Sequence, residues 1–217
     1  IAEIANNKFE NYPPILNLLG ISLLNLGFLY EAHEYLSKAL KIAPNYSEAH
    51  LNIGNTLMRL NDFESSKTHL EKAILLDKNN PVGFEFLAKF YSTVELNFTK
   101  AKNILKDGLN ITLNDHQKNL LLASLYDCYI FMGEKKEALK IGKILLKSND
   151  SEVFIKAFYG LSKIKYFKSL DCEAVQKANQ IAKQNSNFFN LTLYYFSLAN
   201  INEINSDANN YLKNLKN

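Results

Sequence analysis

Apolar residues recur along most of the chain at intervals of three and four positions. Leu16, Leu19 and Leu23 set this pattern near the start, and Leu40 and Ile42 belong to its next run. Such spacing places apolar side chains on one face of an α-helix, and the sequence has no useful length of the alternation that is typical of strands. The pattern predicts an all-α chain with helices at about residues 14–27, 30–43, 47–60, 63–77, 81–94, 98–111, 116–132, 135–148, 151–167, 171–184, 187–202 and 205–216.

Prolines and short polar segments mark the boundaries between these predicted helices. Proline is tolerated in the first turn of a helix but breaks its interior, and all four prolines of the chain fall at boundaries. Beyond the last proline, a glycine and two Ser/Asn-rich segments have the composition of turns. The boundaries are Pro13, Pro14, Pro44, Pro81, Gly133 and residues 148–151 and 185–187.

One stretch of the chain repeats itself 34 residues later. The two copies are Leu16-x-x-Leu19-Gly20-x-x-Leu23 and His50-x-x-Ile53-Gly54-x-x-Leu57. A small residue also recurs in the second helix of each predicted pair, at Ala32, Ser66, Ala101, Ala138, Ala174 and Ala208. Two helices that cross at about 8–10 Å leave no room for a large side chain at their closest point, so the small residues predict helix pairs stacked in a repeating array.

These repeated residues resemble the tetratricopeptide repeat, a helix–turn–helix of about 34 residues with the pattern W-x2-L-G-x2-Y followed by A, F and P. The likeness is specific in the first three units and depends mainly on the period in the later ones. The first unit carries it at Leu16, Leu19, Gly20, Leu23, Gly27, Ala32, Leu36, Ala39 and Pro44. The resemblance implies a single right-handed α-solenoid of helix–turn–helix units, six in all, at about residues 13–46, 47–80, 81–115, 116–150, 151–186 and 187–217.

Both ends of the sequence fall inside a predicted second helix. Ala5 and Tyr12 align with Ala39 and Tyr46, so residues 1–12 are expected to be the remnant of a preceding repeat. A stacked array normally carries a polar cap at each end, and neither end has the composition of one. We therefore expect the sequence to be part of a longer protein.

In the family that the chain resembles, the first helices line a concave groove that receives an extended peptide or a partner helix. The resemblance places seven residues on the groove side: Asn17, Ile21, Asn52, Asn55, Arg59, Glu85 and Lys89. Amide and cationic side chains there can hydrogen-bond a peptide backbone or hold a carboxylate. The alternative is that they are ordinary solvated residues, since asparagine is abundant throughout the chain.

Two binding devices of that family are only partly matched. Arrays that bind chaperone C-termini use a Lys/Asn/Arg clamp, and this sequence lacks the full set in any one pair of repeats. Sugar-transferase arrays use an asparagine at the residue before the L-G pair. Asn52 fits this position, whereas Leu18 and Phe86 hold it in the neighbouring units, which argues against an asparagine ladder.

The charge of the chain narrows the classes of partner. The net charge of +3 and the isoelectric point near 8.6 are too small an excess to indicate nucleic acid. Lys136, Lys140, Lys143 and Lys147 share one face of a predicted helix, where they can meet phosphates. The favoured interpretation is the solvent side of an amphipathic helix, and RNA binding ranks last among the functions considered.

No motif indicates catalysis, a cofactor or a metal. The glycine patterns of phosphate-binding loops, dinucleotide sites and nucleophile elbows are missing, and the four histidines lack the spacing of metal ligands. His50 takes the large-residue position of its repeat and is interpreted as a packing residue. Cys128 lies among aromatic and aliphatic residues, where we expect a buried thiol.

Cysteine usage and hydropathy bear on the compartment. Cys128 and Cys172 are far apart and form no CxxC, which excludes a disulfide framework and favours a reducing compartment, the cytoplasm. No apolar run reaches the roughly 18 residues of a membrane span.

Taken together, the repeats and the missing catalytic motifs predict a non-enzymatic scaffold that binds a peptide or partner protein. The alternative is an N-terminal docking or regulatory arm of a larger enzyme, such as a sulfotransferase or glycosyltransferase with these repeats.

Overall fold

The computed structural model describes residues 12–111, 113–163, 177–178 and 180–181. The chain divides into two compact units, Ile1–Ser124 and Leu125–Asn217. Throughout the described residues the secondary structure is helical, with no strand. The predicted all-α class is confirmed.

Nine helices lie in the described residues, and each begins within one residue of its predicted start. The predicted helices 187–202 and 205–216, most of 171–184, and the remnant 1–12 lie outside the described residues. The helices are α1 Pro13–Leu26, α2 Leu29–Ile42, α3 Ser47–Arg59, α4 Phe63–Leu76, α5 Pro81–Thr93, α6 Phe98–Leu109, α7 Asp115–Phe131, α8 Lys135–Leu145 and α9 Ser151–Lys163.

The helices of the first unit pack in sequence order. Helix α1 packs on α2, α3 on α4, and α5 on α6, and each pair contacts the next through α2–α3 and α4–α5. The first helices of the pairs also contact each other, α1 with α3 and α3 with α5. Each repeat of the first unit therefore packs against its immediate neighbours, as in a helical repeat array.

Small residues stand where the two helices of a pair approach most closely. A Cβ added to Gly20 would lie 2.5 Å from Leu36 Cγ, and one added to Gly54 would lie 2.6 Å from Leu70 Cγ. Facing them, Ser66 is fully buried, and its hydroxyl donates a hydrogen bond of 2.7 Å to the carbonyl of Gly54. The predicted role of the small residues at the crossing is confirmed.

The turn inside each described helix pair uses a left-handed backbone residue at an equivalent position. The φ angles are 88° at Gly27, 64° at Asn61, 50° at Leu96 and 71° at Gly133. A left-handed residue just after a helix lets the chain reverse while the last carbonyls are satisfied. At the first turn, Gly27 and Phe28 donate their N–H groups to the carbonyls of Leu24 and Leu23.

In the second unit, buried aromatic and aliphatic side chains join the described helices. Tyr126 on α7 is buried and donates its hydroxyl to the carbonyl of Ala157 on α9, at 3.1 Å. On α8, a Cβ added to Gly142 would lie 2.8 Å from Leu161 Cδ2, so a glycine also allows close packing between α8 and α9, the first helix of the next pair. Cys128 is buried, as predicted.

Candidate functional site

Nine exposed or partly exposed residues form a regular pattern on the first helices of the three pairs in the first unit. Each helix contributes three positions at i, i+3 and i+7, which share one helical face. Corresponding positions on successive helices are 34 residues apart, and because α3 contacts both α1 and α5, the three faces adjoin. We call this surface the first-helix face: Leu18, Ile21 and Asn25 on α1, Asn52, Asn55 and Arg59 on α3, and Phe86, Lys89 and Thr93 on α5.

An amide hydrogen bond ties the first two rows of this face together. The Asn52 Nδ2 amide donates to Asn17 Oδ1 at 3.0 Å, and Asn17 Nδ2 lies 3.5 Å from the Tyr46 hydroxyl. Asn17 is only 6% exposed, so it lies beneath the surface and holds the Asn52 side chain in place. Asn52 is partly exposed and is therefore the more accessible of the two amides.

Arg59 bridges α3 and α1 at one end of the face. Its Nη1 donates to the carbonyl of Leu24, in the last turn of α1, at 2.7 Å. That carbonyl belongs to the negative end of the α1 dipole, which favours a cation. The residue as a whole remains exposed, and a guanidinium carries five N–H donors, so most of its hydrogen-bonding capacity faces solvent.

Five of the seven residues predicted for the groove lie on the first-helix face. Ile21 and Asn55 are partly exposed and Lys89 is exposed, in the same row of α1, α3 and α5, and Asn52 and Arg59 complete the set. The other two, Asn17 and Glu85, immediately precede the first row of their helices. Sequence reasoning did not include the other four residues of this face, although the 34-residue spacing from Asn52 and Arg59 could have found them: Leu18, Asn25, Phe86 and Thr93.

Two histidines form a close pair on the other side of α3. His50 Nδ1 lies 2.9 Å from His69 Nδ1, and His50 Nε2 lies 3.0 Å from the Pro44 carbonyl. Burial lowers the pKa of His50. Burial, followed by the nearby His50 and Lys72, lowers the pKa of His69 to about 4. His50 is buried, in agreement with its interpretation as a packing residue.

A metal site would need several converging ligands. Among the described residues, no group of three or more His, Cys, Asp or Glu side chains is placed to hold a metal ion. The histidine pair instead belongs to the packing between α3, α4 and the loop before α3, since its contacts are with Pro44 and between the two rings.

The four lysines that were predicted to share one helical face lie on α8 and just after its end. Lys136, Lys140, Lys143 and Lys147 are exposed, whereas the apolar residues Ala138, Ile141 and Leu145 on the same helix are buried. The Lys140 ammonium pairs with Glu137 at 2.7 Å. The arrangement is that of an amphipathic helix with a solvated basic side. In the part of the chain that the structure describes, no helix has the length and apolar character needed to cross a bilayer.

Comparison with known proteins identifies the class. Residues 29–90 match the family model of the tetratricopeptide repeat. Among solved structures, the chain is similar to YrrB, described as a tetratricopeptide-repeat protein with an unusual peptide-binding site, at a TM-score of 0.57 and 16% identity over 89% of this chain and 96% of that one. It is also similar to TTC0263 of Thermus thermophilus, at a TM-score of 0.65 and 19% identity over 86% of this chain and 98% of that one. The chain therefore contains tetratricopeptide repeats over residues 29–90, and its fold is that of tetratricopeptide-repeat proteins.

Two proteins of known function resemble the chain in sequence. Human protein O-mannosyl-transferase TMTC3 is 27% identical over 208 residues, which cover 91% of this chain and 22% of that protein. The Sol locus transcriptional repressor of Clostridium acetobutylicum is 31% identical over 100 residues, which cover 42% of this chain and 31% of that protein. The chain thus spans less than a third of the length of either relative.

Proposed function

We propose that the chain is a non-enzymatic scaffold whose first-helix face binds a peptide segment of a partner protein. The observation that supports this most is the exposed three-by-three pattern of amide, apolar and cationic side chains on three adjoining helices. Amides can hydrogen-bond an extended backbone, and the apolar positions can accept side chains. The curvature that the tetratricopeptide repeat implies would make this face concave.

The mechanism is binding by a preformed surface. Asn52 is held by Asn17, and Arg59 is held by the Leu24 carbonyl, so two contact residues are fixed before a partner arrives. Side chains that are already ordered lose less conformational entropy on association, which improves affinity without adding contacts.

The test is selection of a phage-displayed library of random peptides on the immobilised full chain. Peptides that bind should lose most of their signal on the triple variant Asn52→Ala, Asn55→Ala, Arg59→Ala. The matched control replaces three exposed α4 residues, with Glu64→Ala, Thr68→Ala and Leu75→Ala, and should retain binding. If selected peptides bind the triple variant as well as the parent while its helical content is intact, this face is not the site.

An alternative function is supported by the likeness to the O-mannosyl-transferase, of which the matched part is 22%. In that case the repeats would be the docking or regulatory arm of a larger enzyme, with its catalytic residues elsewhere. The test is the open reading frame around these codons: a phosphate-binding loop or sugar-nucleotide motif in it would favour the arm, and a frame that encodes only repeats would favour the scaffold.

The proposed partner is a protein or peptide, and the proposed compartment is the cytoplasm. The buried thiol of Cys128, which forms no disulfide, is compatible with a reducing environment. Fractionation of cells that carry the native gene would test the compartment, and recovery of the chain outside the cytoplasm would contradict the proposal.

A further inference from the structure

The first-helix face has an uneven distribution of charge. Its two charged residues are Arg59 and Lys89, both cationic, and the other seven positions are amide, hydroxyl or apolar. Among the described residues, no carboxylate forms an ion pair with either cation. Helix α1 carries no charged residue at all. The nine positions therefore carry a cationic patch on α3 and α5, and the carboxylate of Glu85, one turn before Lys89, borders this patch on α5.

The two cations are held apart. Corresponding positions are 34 residues apart, so Lys89 is level with Asn55, and Arg59 lies one turn further along α3. The four residues from Asn55 to Arg59 rise about 6 Å, and neighbouring helix axes are about 8–10 Å apart, which separates the Arg59 and Lys89 backbone positions by about 10–12 Å. The Arg59 guanidinium is also drawn toward α1 by the Leu24 carbonyl, whereas Lys89 stands on α5, on the other flank of α3.

The distance between the two cations indicates whether they bind one carboxylate of a ligand together or two carboxylates separately. A single terminal carboxylate needs cations that converge on it, whereas the Leu24 carbonyl holds the Arg59 guanidinium on the α1 side of α3 and Lys89 lies on α5, on the other side. Side chains in an extended segment alternate between its two faces, so two carboxylates that meet one surface lie an even number of residues apart. Four residues span about 13 Å, which suits two cations whose backbone positions are about 10–12 Å apart and whose side chains are long. Apolar positions flank the cations: Ile21 on α1 and Phe86 on α5 are partly exposed, and Leu18 is 55% exposed.

Building on the proposed function, we propose that the partner segment is internal, extended and acidic, with two carboxylate side chains that pair with Arg59 and Lys89 and apolar side chains between and beside them. Charge complementarity with these two cations supplies the preference for acid, and the apolar positions supply the rest of the contact area. Exposed pairs of this kind contribute modestly, so the preference is expected to depend on salt.

The test uses fluorescein-labelled peptides, acetylated and amidated at their ends, and fluorescence anisotropy with the full chain. The acidic probe is three copies of Asp-Ser-Leu-Ser, which places Asp residues four positions apart with Leu between them on one face of an extended segment, and the neutral probe is three copies of Asn-Ser-Leu-Ser. A third probe is the neutral peptide with a free terminal carboxylate. We expect the acidic probe to bind about tenfold more tightly than either neutral one at 50 mM NaCl, and the advantage to shrink at 300 mM.

Charge-removing variants locate the effect. Arg59→Gln and Lys89→Gln should each weaken binding of the acidic probe about two- to fivefold, and the neutral probe should be unaffected by Lys89→Gln. Lys89 is exposed and forms no ion pair with the described residues, so this variant tests the idea even if Arg59→Gln perturbs α1. Lys41→Gln, an exposed lysine on α2, makes the same charge change away from the face and should leave both affinities unchanged.

Each outcome decides the matter. Equal binding of acidic and neutral probes, both lost in the Asn52/Asn55/Arg59 triple variant, would overturn the acidic preference and leave the proposed function standing. Tighter binding of the free-terminus probe alone would also overturn it, because the site would then take a terminal carboxylate. If no probe binds, the acidic inference fails, and the phage selection still decides the proposed function independently.

Discussion

His50 Nδ1 and His69 Nδ1 face each other at 2.9 Å, between α3 and α4. The Pro44 carbonyl can only accept, so His50 Nε2 carries a hydrogen and donates to it at 3.0 Å. In the neutral pair, His50 Nδ1 is then the acceptor, and His69 Nδ1–H donates to it. Only one hydrogen fits between the two Nδ1 atoms, so the folded pair cannot be doubly protonated without losing this contact.

The pair predicts that stability falls in mild acid. Burial lowers the pKa of both histidines in the folded state, and that of His69 falls to about 4, whereas an unfolded histidine has a pKa near 6.5. As pH falls, the unfolded chain therefore takes up protons first, so stability is complete above about pH 6.5 and declines between 6.5 and 4. Nearby Lys72 and His33 reinforce the effect, and Asp62 opposes it.

The measurement is urea denaturation at pH 7.5 and pH 5.5. We expect the parent chain to lose about 1 kcal/mol more over this range than His69→Gln, which cannot be protonated. Thr68→Gln, at an exposed position of α4 that does not titrate, is the control and should keep the pH dependence of the parent. An identical loss in His69→Gln and the parent would show that the pair does not set the acid sensitivity.

Replacing Leu96 with glycine is expected to stabilise the fold. It adopts φ of 50° and is 69% exposed, at the turn position where the first and fourth described repeats have glycine. A left-handed conformation costs an ordinary residue about 1–2 kcal/mol, and glycine escapes this cost. Leu96→Gly should therefore raise the unfolding free energy by about 0.5–1 kcal/mol in urea denaturation. Gly27→Ala, at the equivalent turn, should lower it by a similar amount. A lower unfolding free energy in Leu96→Gly, or a higher one in Gly27→Ala, would refute the turn assignment.

A large side chain at Gly54 is expected to destabilise the fold severely, because it would overpack the crossing of α3 and α4. A Cβ there would lie 2.6 Å from Leu70 Cγ and 3.2 Å from the Ser66 carbonyl, and Leu70 is fully buried. Gly54→Leu should destabilise the fold by about 3 kcal/mol, at the upper end of overpacking costs, despite the better helix propensity of leucine. Thr93→Leu places the same side chain on the exposed end of α5 and should change the melting temperature little. Equal effects of the two variants would contradict the close crossing of α3 and α4.

The buried hydroxyl of Tyr126 is expected to contribute to the stability of the second unit through one hydrogen bond. Its hydroxyl donates to the Ala157 carbonyl at 3.1 Å, and burial raises its pKa. Tyr126→Phe keeps the ring but leaves that carbonyl without this donor, so we expect a loss of about 1 kcal/mol in thermal or urea unfolding. Tyr30→Phe, at a highly exposed tyrosine on α2, is the control and should be neutral. No loss in Tyr126→Phe would mean that water replaces the donor.

Helix positions and pairing could be predicted from the sequence because local rules dominate both. Pro81 and Pro13 fix helix starts, and the 34-residue recurrence of the Leu-Gly pattern fixes which helices pair. The resemblance to the tetratricopeptide repeat predicted Asn52, Asn55 and Arg59 for the groove side, and their i, i+3, i+7 spacing on α3 places them on one helical face. The repeat boundaries, including the sixth unit at 187–217, and the identity of the binding residues stay predictions.

What the sequence did not reveal are contacts that depend on side-chain reach across helices. The bond from Asn52 to Asn17 and the burial of Asn17 require the distance between α1 and α3, which no periodicity contains. The capping of Leu24 by Arg59 and the meeting of His50 with His69 are likewise tertiary. Leu96 adopts a left-handed backbone conformation that leucine normally avoids, because the turn geometry shared by the repeats requires it at this position.

The most direct test of the central claim is to map binding by NMR, with the isotope-labelled chain titrated with a peptide from the phage selection. We predict that backbone and side-chain amide shifts concentrate on the first-helix face of α1, α3 and α5, with the Asn52 and Asn55 side-chain amides among the largest. Shifts concentrated instead on the exposed sides of α2, α4 and α6 would contradict the account.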